Sequence, residues 1–313
     1  MAFDLFLLTI GGALLYFGAE WLVEGAAGMA VRLGVPPLLI GLTIVSYATS
    51  APELAVSVTA TLKGDGPLVL GNVIGSNIAN IALILGITAL ISPPKTDGSM
   101  ATKELLALVA ATLLVPLCLL DGTLSRTEGL FLLLGSVLFT WLTIRWSKSR
   151  PAQSDDDFEE SPKSKGALIA IGLGGLVVLV AGGEVFVHGA IGTAEALGID
   201  QRVIGLTVVA FGTSVPELAA SVVAALRGHS DLAVGNVVGS NIFNILLVLG
   251  TAGALNPFQT EISVMYLDLA VLGALTLGAA IMLSRKRVVS RTEGVLLTST
   301  YFGFLAVLVM QLG

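Results

Sequence analysis

Apolar stretches long enough to cross a lipid bilayer follow one another along almost the whole chain. Ten such stretches of about 20 residues are separated by charged or Pro- and Gly-rich breaks. In the hydrocarbon core every backbone polar group must be hydrogen-bonded within the protein, so these stretches predict helices. The predicted spans are 3–27, 36–62, 67–91, 102–120, 128–146, 166–190, 202–226, 231–255, 266–284 and 292–311.

The composition excludes most other classes of protein. Only 12% of the 313 residues are charged, against about 25% in an ordinary soluble domain, and the mean hydropathy is +0.92. A soluble enzyme or a disordered chain is excluded, and the single cysteine, Cys118, excludes a disulfide-rich domain. The net charge of −6 leaves no basic patch for nucleic acid. The predicted fold class is an all-α polytopic membrane protein with the lipid bilayer as its surrounding partner.

Lys and Arg are distributed unevenly between the predicted loops. With ten helices, the loops on the side of the two termini hold 3 of the 16 Lys and Arg residues, and the opposite loops hold 13. Cytoplasmic loops are enriched in these residues. Both termini are therefore predicted to face outward, with residues 147–165 in the cytoplasm, in the cell (inner or plasma) membrane. The N-terminus lacks the basic segment of a signal peptide, so the first helix is expected to be retained.

The chain contains an internal repeat. Residues 41–86 recur as residues 205–250 at an offset of 164 without a gap, and 28 of the 46 positions are identical. The identities include Thr, Ser, Pro, Glu, Gly and Asn at fixed places, which a shared membrane composition cannot produce. A shorter motif, Ser-Arg-Thr-Glu-Gly, occurs at 125–129 and 290–294. We interpret it as a capping box at a helix N-terminus.

Each repeat contains five predicted helices. Because five is odd, the second repeat enters the membrane from the opposite side, and the halves form inverted repeats about an axis in the membrane plane. The predicted domains are a first five-helix repeat at 1–146, an acidic cytoplasmic linker at 147–165 and a second, inverted five-helix repeat at 166–313. This architecture is typical of secondary transporters that bind substrate near the midplane.

Two glutamates lie at matching depths near the centres of predicted spans. Glu53 follows Pro52 in the second span, and Glu217 follows Pro216 in the seventh. A carboxylate at the bilayer centre costs roughly 2.5–3.5 kcal/mol on insertion scales. No Lys or Arg lies at that depth in the second, third, seventh or eighth span. A mobile cation or a proton is therefore the remaining partner, and each proline is expected to break its helix and expose backbone oxygens.

Polar residues recur in steps of four on the third and eighth spans, which places them on one helix face. We predict that six Ser and Asn residues face the glutamates, namely Ser50, Ser76, Asn80, Ser214, Ser240 and Asn244. The other Ser and Asn residues of these segments are interpreted as helix–helix hydrogen-bonding groups, namely Ser57, Asn72, Asn77, Ser221, Asn236 and Asn241.

The candidate ligands are all hard oxygens. Carboxylate, hydroxyl, amide and carbonyl oxygens suit Ca²⁺, Na⁺, Mg²⁺ or Mn²⁺ rather than Zn²⁺ or Cu⁺. One Ca²⁺ or two Na⁺ would balance the two glutamates, and competition for one site would give exchange. The residues alone therefore indicate a cation antiporter with an oxygen-lined site.

The segment Thr-Ser-x-Pro-Glu-Leu followed by Gly-Asn-Val-x-Gly-Ser-Asn-Ile-x-Asn, present twice, resembles the alpha repeats of the Ca²⁺/cation antiporter superfamily. It is most similar to the prokaryotic Na⁺/Ca²⁺ exchanger branch, and the resemblance covers nearly the whole chain. It implies eight helices around the ion sites, with the first and sixth helices long and mobile across them. It also implies exchange of Na⁺ for Ca²⁺ by alternating access, normally as Ca²⁺ efflux.

The resemblance implies ion ligands position by position. Glu53 and Glu217 would be the principal Ca²⁺ ligands. Hydroxyl or backbone oxygens would bind Na⁺ or Ca²⁺ at Thr49, Ser50, Ser76, Thr213, Ser214 and Ser240. The backbone carbonyls of Ser46 and Ala210 would join these ligands, and Asn80 and Asn244 would line the central position. Many relatives have Asp where this chain has Asn244, which argues against K⁺ co-transport.

Other functions stay open at this point. An H⁺/Ca²⁺ or other divalent cation antiporter of the same superfamily would use the same glutamates. A passive channel and an intramembrane enzyme are disfavoured, since one chain holds two inverted halves and no nucleophile–base pair occurs in the helices. Glu20, Glu184 and His188 are either a proton-sensitive vestibule or interfacial residues. No cofactor is expected, and a monomer suffices because one chain contains the whole pathway.

Overall fold

The computed structural model describes residues 1–94, 102–147, 163–199, 204, 210–260, 262–285 and 288–312, and most of them are helical. The helices are α1 (Ala2–Leu33), α2 (Pro37–Thr49), α3 (Ala51–Leu62), α4 (Gly66–Ile91), α5 (Thr102–Cys118), α6 (Arg126–Ser147), α7 (Lys165–Ala196), α8 (Ala210–Gly212), α9 (Val215–Leu226), α10 (Ser230–Leu255), α11 (Ile262–Arg285) and α12 (Arg291–Leu312). Two short strands, β1 (Thr123–Leu124) and β2 (Phe258–Gln259), pair antiparallel.

The helices have the length and composition of membrane spans. Seven in the described ranges are long and apolar enough to cross a bilayer, or eight if α2 and α3 form one bent span. The predicted span at 102–120 forms the 17-residue helix α5. Of the predicted span at 202–226, the described residues form α8 and α9. The protein is therefore an all-helical, multi-pass membrane protein, while the count of ten spans stays a prediction.

The two central helices of the bundle are α4 and α10. Within their most apolar stretches 78% and 94% of the residues are buried, whereas the corresponding figure for α1 is 22%. The main apolar core joins α4, α5 and α10 with α11 and α12. Large apolar side chains on the outer helices are exposed, among them Phe3, Leu134 and Leu296, as expected of a surface that faces lipid.

The helix break expected at each proline is present. Helix α2 ends at Thr49 and α3 begins at Ala51, with a bend of 44° between them. In the second half, α8 ends at Gly212 and α9 begins at Val215. Proline lies in the first turn of each restarted helix. The N–H groups of that turn have no partner within the helix, so the lack of an N–H in proline costs no hydrogen bond there. Both glutamates consequently lie in the first turn of a helix near the break.

Helices α1 and α7 cross at backbone contact and run antiparallel. A Cβ atom added at Gly18 would collide with the backbone of α7, lying 2.9 Å from the carbonyl oxygen of Gly175. Near the start of α1, Gly11 approaches Phe186, and near its end Gly25 approaches Gly172. Glycine allows this approach because it has no side chain.

Contacts between the two halves occur in reciprocal pairs. Gly18 of α1 meets Leu179 of α7, and their equivalents in the other half, Gly182 and Leu15, meet as well. Gly86 meets Gly294 in the same way as Gly250 meets Gly129. The hydroxyls of the equivalent residues Thr112 and Thr276 contact each other at 3.3 Å.

Candidate ion-binding site

The two predicted glutamates are buried and are bridged crosswise by the serines that precede them. Ser50 Oγ donates to Glu217 Oε1 at 3.4 Å, and Ser214 Oγ donates to Glu53 Oε1 at 3.3 Å. The glutamate side chains are 0% and 1% exposed. Ser50 lies three residues before Glu53 in the chain but bonds Glu217, and Ser214 lies three residues before Glu217 but bonds Glu53. The two helix breaks therefore bring both carboxylates to one place.

Several buried oxygens around these carboxylates lack hydrogen-bond partners. The second carboxylate oxygen, Oε2, of each glutamate has none, nor do the hydroxyls of Ser76 and Ser240. The same holds for both polar atoms of Asn80 and for Oδ1 of Asn244. Buried polar groups are nearly always paired, so a cluster of unpartnered oxygens fits a group that binds there.

The asparagines stand on the two central helices, at π-helical segments that sequence reasoning did not foresee. One π-helical segment, Ala79–Ile84, packs against α9, which carries Glu217. The other, Asn244–Leu249, packs against α3, which carries Glu53. A π-helical segment widens the helix locally and is frequent at functional sites.

A second pair of asparagines, Asn72 on α4 and Asn236 on α10, forms hydrogen bonds to the helices that carry the glutamates, α3 and α9. Asn72 Nδ2 donates to the backbone carbonyl of Glu53 at 3.0 Å and to Ser57 Oγ at 2.8 Å. Asn236 Nδ2 repeats this with the backbone carbonyl of Glu217 at 3.5 Å and with Ser221 Oγ at 3.0 Å. These residues form the helix–helix hydrogen bonds expected of them.

The remaining predicted ligands lie at the ends of α2 and α8. Thr49 is fully buried and donates to Asn236 Oδ1 at 3.2 Å, while Ser46 Oγ donates to the carbonyl of Thr43 at 3.1 Å. Thr213 lies at the second helix break, and its hydroxyl has no hydrogen-bond partner. Ala210 begins α8, and its side-chain surroundings lie outside the described part of the chain.

The site has negative charge without a buried positive partner. Among the described residues, no Lys or Arg is buried, although both glutamates are. Two carboxylates held together in a dry interior repel each other and lose their hydration. A mobile cation or protons would relieve both effects, and the mixed set of carboxylate, hydroxyl and amide oxygens suits hard cations.

A cavity of about 260 Å³ lies beside the two helix breaks, between α7 and the first turns of α3 and α9. Its lining includes Pro52, Glu184, His188, Thr213 and Pro216. Glu184 and His188 are exposed and line this cavity, which fits both the vestibule and the interfacial interpretation. On the side that corresponds by the repeat, α1 packs on α9 through a buried apolar cluster that includes Ala19 and Val215.

Sequence reasoning missed the contact of Asn77 with the site. Asn77 Oδ1 accepts a hydrogen bond from Asn244 Nδ2 at 3.2 Å. Asn77 was expected to form helix–helix hydrogen bonds, and it does, since its Nδ2 donates to the backbone carbonyl of Asn241 on α10 at 3.2 Å. Its particular partner among the predicted ligands, Asn244, was not foreseen.

Comparison with known proteins agrees with this arrangement. The family model described as sodium/calcium exchanger protein matches residues 3–145 and 167–310. Sodium/calcium exchanger MaX1 of Methanosarcina acetivorans is 34% identical over 96% of this chain and 97% of its own. Inner membrane protein YrbG of Escherichia coli is 34% identical over 96% of this chain and 95% of its own.

A solved structure is similar over the same length. The sodium-calcium exchanger NCX_Mj, soaked with Na⁺ and Ca²⁺, matches with a TM-score of 0.84 and 31% identity over 97% of this chain and 98% of its own. Two matched halves, a shared fold and a paired-carboxylate site agree with one another. The chain therefore belongs to the sodium/calcium exchanger protein family of multi-pass membrane antiporters.

Proposed function

We propose that this protein exchanges Na⁺ for Ca²⁺ by alternating access, normally as Ca²⁺ efflux driven by Na⁺ entry. The observation that carries the proposal is the pair of buried glutamates, each bonded to the serine beside the other. Because both carboxylates belong to one site, one Ca²⁺ or two Na⁺ neutralise it. Either ion then permits the conformational change, whereas an empty site with two bare carboxylates would oppose it.

The proposed ligand set comprises the residues predicted from the sequence. Glu53 and Glu217 bind Ca²⁺ directly, and the unpartnered oxygens of the central helices complete its shell, which needs about six to eight oxygens. Na⁺ uses the hydroxyl and backbone oxygens at the two helix breaks. The full set is Ser46, Thr49, Ser50, Glu53, Ser76, Asn80, Ala210, Thr213, Ser214, Glu217, Ser240 and Asn244.

The proposed architecture is ten spans in two inverted repeats, 1–146 and 166–313, joined by the acidic linker 147–165. The reciprocal contacts between equivalent residues support a pseudo-two-fold axis. The equivalent helices α1 and α7 run antiparallel, so the axis is perpendicular to them and lies in the membrane plane. One copy contains both halves of the site, which supports a monomer.

The proposed orientation makes the open cavity extracellular. With both termini outside, the end of α7 that carries Glu184 and His188 faces outward, and the sealed contact of α1 with α9 faces the cytoplasm. The conformation is then open to the outside, ready to release Ca²⁺ or to accept Na⁺. The excess of Lys and Arg in the loops opposite the termini supports this orientation.

Proton coupling is the second candidate function. Glu184 and His188 are titratable and exposed at the cavity beside the two helix breaks, so protons could compete there or at the glutamates. The hydroxyl-rich surroundings of the glutamates favour Na⁺, because hydroxyl and backbone oxygens can bind Na⁺ directly.

Equilibrium binding of ⁴⁵Ca²⁺ to the purified protein tests the proposal. At constant pH, Na⁺ should displace bound ⁴⁵Ca²⁺, whereas the same ionic strength supplied as choline should not. The dependence on Na⁺ concentration should be steeper than first order, because more than one Na⁺ replaces each Ca²⁺. Displacement by lower pH without any effect of Na⁺ would move the protein to the proton-coupled class.

A further inference from the structure

Asn77 lies outside the predicted ligand set and yet controls the orientation of one member. It is fully buried, and its Nδ2 donates to the backbone carbonyl of Asn241 at 3.2 Å. A backbone carbonyl can only accept a hydrogen bond, so this contact fixes which end of the Asn77 amide faces which way. Its Oδ1 therefore faces Asn244 and accepts from the Nδ2 of that residue.

The hydrogen bond from Asn244 to Asn77 fixes the orientation of the Asn244 amide in turn. Because Asn244 Nδ2 is engaged, its Oδ1 is at the opposite end of the amide, where it is buried and unpartnered. Only the oxygen of an amide can bind a cation. We propose that Asn77 is a positioning residue that holds the Asn244 oxygen toward the transported cation and thereby raises the affinity of the site.

The equivalent contact in the other half is not made. By the repeat, Asn241 Oδ1 should accept from Asn80 Nδ2, but both atoms are unpartnered, and Asn241 Nδ2 donates instead to the carbonyl of Val237 at 2.7 Å. One central amide is thus oriented in advance and the other is free to turn. The asymmetry makes Asn241 a matched control for Asn77, since it has the same residue type, depth and burial.

The test measures the Ca²⁺ and Na⁺ affinities of purified variants and rests on the proposed function. Loss of a residue that orients a metal ligand typically costs roughly 10- to 100-fold in affinity. Asn77→Ala should therefore weaken ⁴⁵Ca²⁺ binding at least about tenfold, and Asn241→Ala should weaken it less. If Asn77 acts only through Asn244, the double variant Asn77→Ala/Asn244→Ala should bind like Asn244→Ala alone.

Three outcomes would overturn the role of Asn77. These are an Asn77→Ala affinity within twofold of the unmodified protein, an equal loss in Asn241→Ala, and additive losses in the double variant. A purely structural role would lower the folded yield and leave the affinity of the folded fraction unchanged. If the unmodified protein itself binds no Ca²⁺, the proposed function fails and the Asn77 proposal fails with it.

A separate observation concerns charged contacts of α1. Glu20 forms an ion pair with Arg227, the residue that directly follows α9, and Glu24 forms one with Lys163, just before α7. Both pairs lie at the sealed side of the bundle, beside the apolar contact of α1 with α9. The first pair joins the long helix α1 to the second half of the chain, and the second pair joins it to the linker residue Lys163.

The residues equivalent to Glu20 and Arg227 in the other half also have opposite charges, but they do not form an ion pair. At the repeat offset, Glu20 corresponds to Glu184 and Arg227 to Lys63, the residue that directly follows α3. Both equivalents are exposed, and no ion pair joins them although the structure describes both. Glu184 lines the cavity that separates α7 from α3.

We infer that Glu20–Arg227 and its repeat equivalent, Glu184–Lys63, form in alternation and act as latches on the two sides of the protein. Glu20–Arg227 holds the cytoplasmic side closed in the present conformation, and Glu184–Lys63 forms when α7 closes the outer side. The weakness of such a pair suits the role, because a latch must open in every transport cycle. An exposed pair changes the equilibrium constant between two states by about 1.4- to 5-fold.

Thiol labelling of the outer cavity tests the latches. In a background with Cys118→Ala, Val187→Cys places a thiol in the cavity, and a membrane-impermeant maleimide in right-side-out vesicles reports how often the outer side is open. Glu20→Gln should slow labelling measurably, by at most about fivefold. Lys63→Gln should leave it unchanged or speed it, and Glu20→Arg combined with Arg227→Glu should restore it.

Two outcomes would overturn the latch proposal. One is a labelling rate in Glu20→Gln that equals that of the Cys118→Ala/Val187→Cys background. The other is a failure of the charge swap to restore a rate that Glu20→Gln has slowed. If the background variant is labelled only from the cytoplasmic side, the proposed orientation fails instead, and the two failures are distinguishable.

Discussion

At the scale of single residues, the two buried glutamates dominate the energetics. Each accepts one serine hydrogen bond and keeps a second oxygen without a partner, in surroundings where the described residues supply no buried Lys or Arg. Such a pair is unfavourable for stability, so its presence at both helix breaks points to a functional role.

We expect Glu53→Gln or Glu217→Gln to abolish Ca²⁺ transport, because one remaining negative charge cannot balance a divalent ion. Folding should persist, since the amide keeps the shape of the side chain and removes a charge repulsion. Transport of ⁴⁵Ca²⁺ in proteoliposomes checks the first point and the size-exclusion profile checks the second. Glu53→Asp, which keeps the charge, is the matched control and should retain part of the activity. Unimpaired Ca²⁺ flux in either Gln variant would refute the site assignment.

Asn244→Asp should change ion dependence more than assembly. One Asp oxygen would take the place of Nδ2, facing Asn77 Oδ1 at about the present 3.2 Å, and a third negative charge would enter the site. The expected result is altered Na⁺ and K⁺ dependence of ⁴⁵Ca²⁺ flux with an unchanged elution profile. If both dependences stay as in the unmodified protein, Asn244 does not line the site.

At this scale the sequence predicted which residues meet at the candidate site. The glutamates, the two bridging serines and the central asparagines could be named because a charge or amide in an apolar span needs a partner, and because the motif occurs twice. The helix–helix hydrogen bonding of Asn77 was also predicted, but its contact with Asn244 was not. Which amide atom faces the site is likewise a matter of tertiary contacts.

At the scale of elements, capping and helix breaks were readable from the residues. Ser125 N donates to Glu128 Oε2 at 2.8 Å, and Ser290 N donates to Glu293 Oε2 at 2.8 Å, so both predicted capping boxes are confirmed. The π-helical segments of α2, α4 and α10 were not foreseen, because no residue pattern in these apolar stretches distinguishes them from α-helix.

The crossing of α1 and α7 should be sensitive to a single methyl group. A Cβ at Gly18 would overlap the backbone of α7, so Gly18→Ala must displace one helix, at a cost of about 1–3 kcal/mol. Thermal unfolding in detergent should show the loss. Gly12→Ala on the same helix is the control, because nothing lies within 4 Å of its added Cβ. Equal stability of the two variants would contradict the close crossing.

At the scale of the whole molecule, pairs of equivalent contacts relate the two halves, yet the halves differ in detail. Within the part of the chain that the structure describes, the Glu20–Arg227 pair, the Asn77–Asn244 bond and the apolar contact of α1 with α9 are present without their counterparts in the other half. A symmetric sequence repeat with asymmetric contacts is what a two-state transporter requires, because exchanging the roles of the halves moves the opening from one side to the other.

The repeat predicts that equivalent residues of the two halves meet in pairs, and several such pairs are present. It does not predict that α1 packs on α9 while a cavity lies between α7 and α3. The repeated segments are identical at 28 of 46 positions, so the two conformations share much of their local sequence preference. Packing of α1 against α9, rather than of α7 against α3, decides between them. That choice depends on small differences in tertiary contact that no single residue pattern expresses.

Uptake of ⁴⁵Ca²⁺ into proteoliposomes loaded with Na⁺ shows directly whether the protein exchanges Na⁺ for Ca²⁺. Matched vesicles contain K⁺ or choline, and a further set carries an imposed pH gradient. We expect uptake only when Na⁺ is inside, and its loss when the Na⁺ gradient is collapsed. Uptake driven by the pH gradient without Na⁺, or uptake that needs no counter-ion, would contradict Na⁺/Ca²⁺ exchange.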